Sequence, residues 1–211
     1  MEDKDRQLMV LRAWQHERLS RTHADLLRHP DYGPSCRFFL SDLYAPQDFS
    51  QRDHDIETIY QLMSRFLPNF LITLVRQAVE LNDLTKSLDH TLNEAIFKEL
   101  GVADIITSEI YAQGYHICNN YDKRVYQIQL LGDVGKKVAL GTRIPFVGLS
   151  LRLARGPANN AGWHELQSFL ERGYTAFKRM PSAQKFLSTI QRRELQILNN
   201  IFSNKEDPFN I

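Results

Sequence analysis

The sequence predicts an all-α fold, an irregular bundle of about seven to eight helices, and three observations support this prediction. Apolar residues recur at intervals of three and four positions, which is the spacing of one helical face. Eight prolines divide the chain, and prolines typically stand at helix ends; they lie at positions 30, 34, 46, 68, 145, 157, 181 and 208. No useful stretch shows the every-second-residue alternation of a half-buried strand.

The first half of the chain predicts four helices, one of which begins at the capping-box pattern of Ser50 and Asp53. The first is expected from about Asp5 to Arg28, and a short helix follows over Cys36–Tyr44. The longest is expected over Asn69–Leu100, because its apolar residues keep the helical spacing throughout. Gly101 and Val102 follow it as a Schellman-type stop, in which the glycine takes the left-handed conformation and the next apolar residue packs back.

The second half continues in the same pattern. An apolar stripe from Asp104 to about Leu131 predicts further helix, and a break is expected near Gly132–Gly141. An apolar helix is then expected around Pro145–Ala154. The last two predicted helices, about Ala161–Arg179 and Ser182–Phe202, are plainly amphipathic.

Bulk properties predict a single helical domain over residues 1–203 with a flexible C-terminal tail at 204–211. The apolar fraction of 43% and charged fraction of 24% are those of a globular protein. A net charge of +1 gives no electrostatic reason to expect nucleic acid or an anionic membrane as partner. The polar first residues differ from a signal peptide, and two cysteines without a CxxC pair predict neither a disulfide scaffold nor a zinc module. These features predict a cytoplasmic location.

Metal and cofactor motifs are absent from the sequence. A ferritin-like di-iron site needs Glu-x-x-His pairs, but no histidine has an acidic residue three positions before it. His90 and Glu94 lie one turn apart on the polar side of their helix, which favours a solvated surface pair. The sequence contains no CxxCH, GxGxxG, P-loop or GxSxG motif. We therefore expect no metal site and no cofactor.

Two carboxylates, Asp89 and Glu194, fall on apolar stripes. A buried carboxylate without a partner is costly, so each is expected to find a cation or hydrogen-bond donors. The segment Lys136–Arg155 carries Arg143, Arg152 and Arg155 and no acidic residue. The structural interpretation is that these arginines reach across to carboxylates on neighbouring helices. The functional interpretation is that the three arginines line a partly buried site for an anion or carboxylate.

The segment 37–53 concentrates aromatic and charged residues, among them Arg37, Asp42 and Arg52. As structure, it predicts a short amphipathic helix whose aromatic side chains dock on the bundle. As function, it could form a lid or a surface for a partner.

This segment resembles a bacterial family named for its FFLEE motif. The resemblance extends over most of the chain and rests on Arg37-Phe38-Phe39-Leu40, Asp42-Leu43-Tyr44, Asp48-Phe49, Arg52-Asp53, Leu153–Ala158, Ala161-Gly162, Leu166–Gly173, Ala176-Phe177, Met180 and Arg193-Glu194. In the naming motif the chain departs from the family, because it reads Phe-Phe-Leu-Ser-Asp and Ser41 replaces an acid. The resemblance implies no established activity, but it draws attention to Arg37, Asp42, Arg52, Arg155 and Glu194.

Two functional hypotheses follow. The first is a non-enzymatic helical binding or interaction protein that engages a small anion or a protein partner through segment 37–53 or helix 143–155. The alternative is a cofactor- or metal-binding helical-bundle enzyme, with Asp89 and Glu194 as acid and base and with His116 or His164 as ligand or base. A homodimer would use the aromatic segment or the terminal helix as its interface.

Overall fold

The computed structural model describes residues 3–42, 69–160 and 162–211, and these residues are helical with no strand. The α-helices are α1 (Asp3–Thr22), α2 (Ala24–Arg28), α3 (Gly33–Asp42), α4 (Asn69–Glu94), α5 (Ser108–Cys118), α6 (Tyr121–Gly141), α7 (Val147–Asn160), α8 (His164–Lys178) and α9 (Ala183–Phe202). A π-helical segment, Ala95–Glu99, continues α4. The predicted all-α fold is confirmed, and the helix predicted from the capping-box pattern of Ser50 and Asp53 lies outside the described residues.

Local capping explains several helix ends. The Thr107 side chain accepts a hydrogen bond from the backbone N–H of Ile110 at 3.3 Å, and the Ser182 side chain accepts from Lys185 at 3.2 Å. Such caps satisfy N–H groups that the first helical turn leaves without partners. Gly101 takes the left-handed conformation with φ of 66°, as its place after the long helix predicts.

The course of the chain between α5 and α7 differs from the sequence prediction. The apolar stripe expected to continue from Asp104 is divided at Asn119, which adopts φ of 44° and ends α5. Conversely, α6 runs through the glycines to Gly141, so the predicted break near Gly132–Gly141 was wrong. The reason is packing: the glycines at 132 and 135 let side chains of α9 approach the α6 backbone closely.

Gly135 should not tolerate even a methyl group, whereas Gly141 should. A Cβ on Gly135 would lie 2.6 Å from Leu187 Cδ2, and Leu187 is buried against α6. We expect Gly135→Ala to lower the free energy of unfolding by about 1–3 kcal/mol through overpacking.

Gly141→Ala is the matched control, because a Cβ there meets nothing within 4 Å. Alanine has the higher helix propensity, so this change should raise the free energy of unfolding by about 0.5–1 kcal/mol. Urea denaturation followed by circular dichroism measures both effects. Equal effects of the two substitutions would contradict the close approach of α9 to α6.

Two buried apolar clusters make up the core of the described residues. The first includes the ends of α1–α3, the C-terminal half of α6 and the first half of α9, with Phe186 and Ile190 fully buried. The second includes the start of α1, the end of α4, α5 and the second half of α9, with Leu92 and Ile96 fully buried. Helix α9 therefore contributes to both clusters.

The residues after α9 turn back onto the second cluster. The Asn200 amide donates a hydrogen bond to the carbonyl oxygen of Pro208 at 3.0 Å, and the Phe209 ring lies 5.5 Å from that of Trp14. In the part of the chain that the structure describes, no helix has both the length and the apolar character needed to cross a bilayer.

Candidate functional site

A cavity of about 60 Å³ lies inside the bundle, between the two apolar clusters. Its walls come from α1, α3, α4, α5, α6 and α9, and they are formed by Gln15, Arg18, Leu19, Phe39, Asp89, Tyr111, Tyr115, Arg124, Gln127, Ile128, Leu131, Glu194, Ile197, Leu198 and Ile201. Two arginines and two carboxylates are among these residues, and we call Arg18, Asp89, Arg124 and Glu194 the central charged cluster. The volume suits a few water molecules or one small ion.

Arg18 and Glu194 form a close buried ion pair between α1 and α9. Arg18 Nη1 donates to both carboxylate oxygens of Glu194, at 2.7 and 2.5 Å. His23 Nε2 lies 3.1 Å from Glu194 Oε1, and the His23 ring is completely buried. Burial alone would raise the pKa of Glu194, but the attraction of Arg18 and the hydrogen bond with His23 outweigh it and lower the pKa to about 2. Glu194 is therefore ionised at neutral pH.

The surroundings of Asp89 have the opposite effect on its pKa. Its Oδ1 accepts a hydrogen bond from the Gln15 amide at 3.1 Å, and the nearest guanidinium nitrogen, Arg124 Nη1, is 4.0 Å away. Burial raises the pKa of Asp89, and the weaker contributions of Arg124 and Gln15 do not offset it. The environment of Asp89 thus favours its protonated form much more than that of Glu194 does.

Arg124 is surrounded mainly by neutral groups. Its guanidinium donates to the carbonyl oxygen of Leu88 and to Gln127 Oε1, each at 3.2 Å. The guanidinium also lies over the Tyr115 ring, 4.7 Å from its centroid. When Asp89 is protonated, Arg124 has no counter-charge within the central charged cluster, because Glu194 already pairs with Arg18.

Two buried N–H groups of the cluster have no hydrogen-bond acceptor among the described residues. They are the Nε–H groups of Arg18 and Arg124, whose residues are only 8% and 5% exposed. A buried donor without an acceptor costs about 1–3 kcal/mol, so native proteins normally supply one. Both arginines line the cavity, but their Nε atoms are themselves buried, so an anion or water in the cavity reaches these N–H groups only after a small shift of the side chains.

Aromatic side chains connect the cavity to the outer part of the second apolar cluster. The hydroxyl groups of Tyr111 and Tyr115 are 3.2 Å apart, and burial raises the pKa of Tyr115 well above its usual value. The Trp14 ring stacks on Tyr111 with the centroids 4.0 Å apart. Trp14 is therefore an intrinsic fluorescent reporter of changes at the cavity wall.

The structure places the residues predicted as a site in separate locations. Asp89 and Glu194 both line the cavity, as their positions on apolar stripes predict. Arg155 instead forms an exposed ion pair with Glu171 on α8, with Arg155 Nε 2.6 Å from the carboxylate. Arg143 and Arg152 are also exposed, and neither belongs to the cavity wall. None of these three arginines lies at the cavity with Asp89 and Glu194, and the carboxylate that Arg155 reaches is Glu171 on the neighbouring helix α8.

Segment 37–53 is described only in part. Arg37 is exposed in the middle of α3, and its guanidinium donates to the carbonyl oxygen of Leu27 at 3.4 Å. Phe39 is buried and reaches the cavity, in agreement with the predicted docking of aromatic side chains. Arg52 and the side chain of Asp42 lie outside the described residues.

The histidines and cysteines proposed for chemistry lie apart from the cavity. His116 and His164 are exposed, and His116 Nε2 lies 3.0 Å from the carbonyl oxygen of Ile201. The His90–Glu94 pair lies on the surface with its nearest N and O atoms 3.7 Å apart. Both cysteines are free thiols, and burial raises the pKa of Cys36 to about 11. The described residues contain no group of three or more candidate metal ligands.

Comparison with known proteins gives a family without an assigned activity. A family model described as a domain of unknown function (DUF8198) matches residues 2–208 of the chain. Searches of curated proteins and of solved structures found no match.

Proposed function

We propose that this chain, which belongs to the family described as a domain of unknown function (DUF8198), is a binding protein for a small anion. The site is the central cavity, and the anion lies between Arg18 and Arg124. The proposal rests on two arginines, each more than nine-tenths buried, that line one cavity and whose Nε–H groups have no acceptor among the described residues. A planar oxyanion of carboxylate type supplies acceptors in the geometry that a guanidinium prefers.

The charges of the central cluster support an anion over a cation. Arg18 and Glu194 neutralise each other at 2.5 Å, whereas Arg124 and Asp89 are 4.0 Å apart. Burial raises the pKa of Asp89, and wherever Asp89 takes up a proton the cluster carries net positive charge without any change in its arginines. The protonated Asp89 also becomes a hydrogen-bond donor. An anion would therefore neutralise the charge of the cluster and accept hydrogen bonds from its unused donors.

The size of the cavity limits the ligand. About 60 Å³ accommodates an ion such as formate or nitrate and excludes a nucleotide or a sugar phosphate. The proposal keeps the small anion that the sequence suggested but moves it from helix 143–155 to the arginines of α1 and α6. An enzymatic role for Asp89 and Glu194, a homodimer and another protein partner stay predictions.

Anion titration tests the proposal directly. We expect formate and nitrate to bind saturably, with one ion per chain, by isothermal titration calorimetry. In a Trp163→Phe background, the fluorescence of Trp14 should change with the same midpoint, because Trp14 stacks on the cavity residue Tyr111. Binding should become tighter as the pH falls, since the pKa of Asp89 is raised and a proton on Asp89 removes a competing negative charge. Phosphate should bind more weakly than formate because of its size.

Arg124→Gln should weaken formate binding at least tenfold, because a hydrogen bond to a charged group contributes about 1.5–3 kcal/mol. Arg124→Lys keeps the charge but loses the guanidinium fork, and it provides a second variant with weakened binding. Arg152→Gln, the same change at an exposed position outside the cavity wall, should leave formate binding unchanged. Absence of saturable binding in the parent protein, or undiminished binding in folded Arg124→Gln, would overturn the proposal and leave water as the occupant.

A further inference from the structure

A second and larger cavity, which we call the turn cleft, lies where α6 passes into α7 and where α8 ends. Its volume is about 430 Å³, and its walls are formed by Ala139, Thr142, Arg143, Ile144, Pro145, Phe146, Tyr174, Phe177, Lys178, Met180 and Ala183. This volume falls within the range of about 300–1,000 Å³ that is typical of small-molecule sites. Among the residues that the structure describes, no wall residue is common to the turn cleft and the central cavity.

Two cations, Arg143 and Lys178, line the turn cleft. No acidic side chain is among the described residues of its wall. Lys178 Nζ lies 5.2 Å from the centroid of the Tyr174 ring, a cation–π contact that holds the ammonium beside the cleft. Most of the remaining wall is apolar or aromatic. The wall of the cleft therefore combines two cations with several apolar and aromatic side chains.

The backbone at the edge of the cleft is strained in a way that exposes an aromatic ring. Phe146 adopts φ of 68°, a left-handed conformation that is unfavourable for a bulky residue. Its side chain is 77% exposed, so burial of the ring does not compensate for the strain. Unfavourable backbone conformations of this kind concentrate at ligand-binding positions, where they place a side chain for contact. A ligand that packs on the Phe146 ring would bury it and offset the cost of this backbone conformation.

We propose that the turn cleft binds an amphiphilic monocarboxylate, a molecule with one carboxylate and an apolar chain or ring. Arg143 and Lys178 pair with the carboxylate. Ile144, Phe146 and Phe177 contact the apolar part. This site is independent of the small-anion site between Arg18 and Arg124, because the central cavity is too small for such a ligand.

Matched ligands test the need for both parts of the molecule. Octanoate should bind the full chain saturably in isothermal titration calorimetry, with one molecule per chain. Octanamide has the same chain without the charge, and acetate has the charge without the chain. Both should bind at this site at least tenfold more weakly than octanoate. Equal affinity for octanoate and octanamide would overturn the proposal, because the cations would then contribute nothing.

Charge removal locates the site. Arg143→Gln and Lys178→Gln should each raise the Kd for octanoate about tenfold. Arg155→Gln is the matched control, since Arg155 is exposed on α7 and pairs with Glu171 outside the cleft wall. It should leave octanoate binding unchanged. Undiminished affinity in both cleft variants would place the octanoate elsewhere and overturn the proposal.

Phe146→Asn separates binding from folding. Asparagine tolerates the left-handed conformation better than phenylalanine and lacks the apolar ring. We expect a thermal unfolding midpoint no lower than that of the parent protein, together with a Kd for octanoate raised about fivefold. Unchanged octanoate affinity in this variant would show that Phe146 does not contact the ligand and would overturn the assigned role.

One set of titrations tests the two proposed sites separately. Arg124→Gln should weaken formate binding and leave octanoate binding unchanged. Arg143→Gln should weaken octanoate binding and leave formate binding in the central cavity unchanged. Loss of octanoate binding in Arg124→Gln, with the helical circular dichroism spectrum retained, would contradict an independent turn cleft. Formate binding that depends on Arg124 stands whatever the octanoate result.

Discussion

Replacing Glu194 with alanine should lower the free energy of unfolding by about 3–5 kcal/mol. The reason is that the substitution leaves buried polar groups without their partner. Arg18 is only 8% exposed and is held by Glu194 through two contacts of 2.5 and 2.7 Å, so its charge would remain buried without a partner. His23, completely buried, would lose its hydrogen-bond partner as well. Chemical denaturation of parent and variant measures the difference.

Two comparisons isolate the cause of this loss. Glu165→Ala removes an exposed carboxylate from the first turn of α8 and should change the free energy of unfolding by no more than about 0.5 kcal/mol. The double variant Arg18→Met with Glu194→Leu should recover most of the stability lost in Glu194→Ala, because it replaces both charges by apolar groups. A loss below about 1 kcal/mol in Glu194→Ala would show that water reaches Arg18 freely.

The pH dependence of the free energy of unfolding should also show the contribution of Glu194. The pKa of Glu194 is about 2 in the folded protein and 4.5 when unperturbed, so the unfolded state binds a proton first as the pH falls. The stabilisation by Glu194 is therefore complete above about pH 4.5 and is lost as the pH falls from there toward 2. The gap between parent and Glu194→Ala should close over that interval. Asp89, whose pKa is raised, contributes in the opposite sense, since the folded state favours its proton.

Much of the fold was accessible from the sequence because helix signals are local. Prolines, caps and the spacing of apolar residues predicted α4, α8 and α9 closely, and the left-handed Gly101 was expected from its position after the long helix. The course of α6 was not accessible in the same way. Whether a glycine breaks a helix or allows close packing depends on the partner helix, and the approach of Leu187 to Gly135 is a tertiary contact.

Only half of the candidate site could be predicted from the sequence, and Arg18 and Arg124 show why. The sequence identified Asp89 and Glu194 because they interrupt apolar stripes. The two arginines obey the same rule: Arg18 lies one turn after Gln15 on the buried face of α1, and Arg124 lies one turn before Ile128 on α6. Applying the stripe rule to cations would have found them. The concentration of arginines along 143–155 pointed elsewhere, because closeness in sequence does not imply closeness in the bundle.

Removing one large side chain from either apolar cluster should destabilise the whole bundle in a single transition. Phe186 in the first cluster is 1% exposed, and Leu92 in the second is 0% exposed. We expect Phe186→Ala to lower the free energy of unfolding by about 3–5 kcal/mol and Leu92→Ala by about 2–5 kcal/mol. Leu140→Ala, at a position 62% exposed on α6, should have a much smaller effect.

The mechanism of this coupling is the shared helix α9, whose first half holds Phe186 and whose second half holds Ile197. Urea unfolding of Phe186→Ala in a Trp163→Phe background tests it with two probes. Circular dichroism reports all helices, and the fluorescence of Trp14 reports the second cluster. Both probes should shift to the same lower midpoint, because a break in α9 at one cluster removes packing from the other. If the fluorescence of Trp14 kept the parent midpoint while the helical signal fell earlier, the two clusters would be separate folding units, and residues 1–203 would not form one cooperative domain.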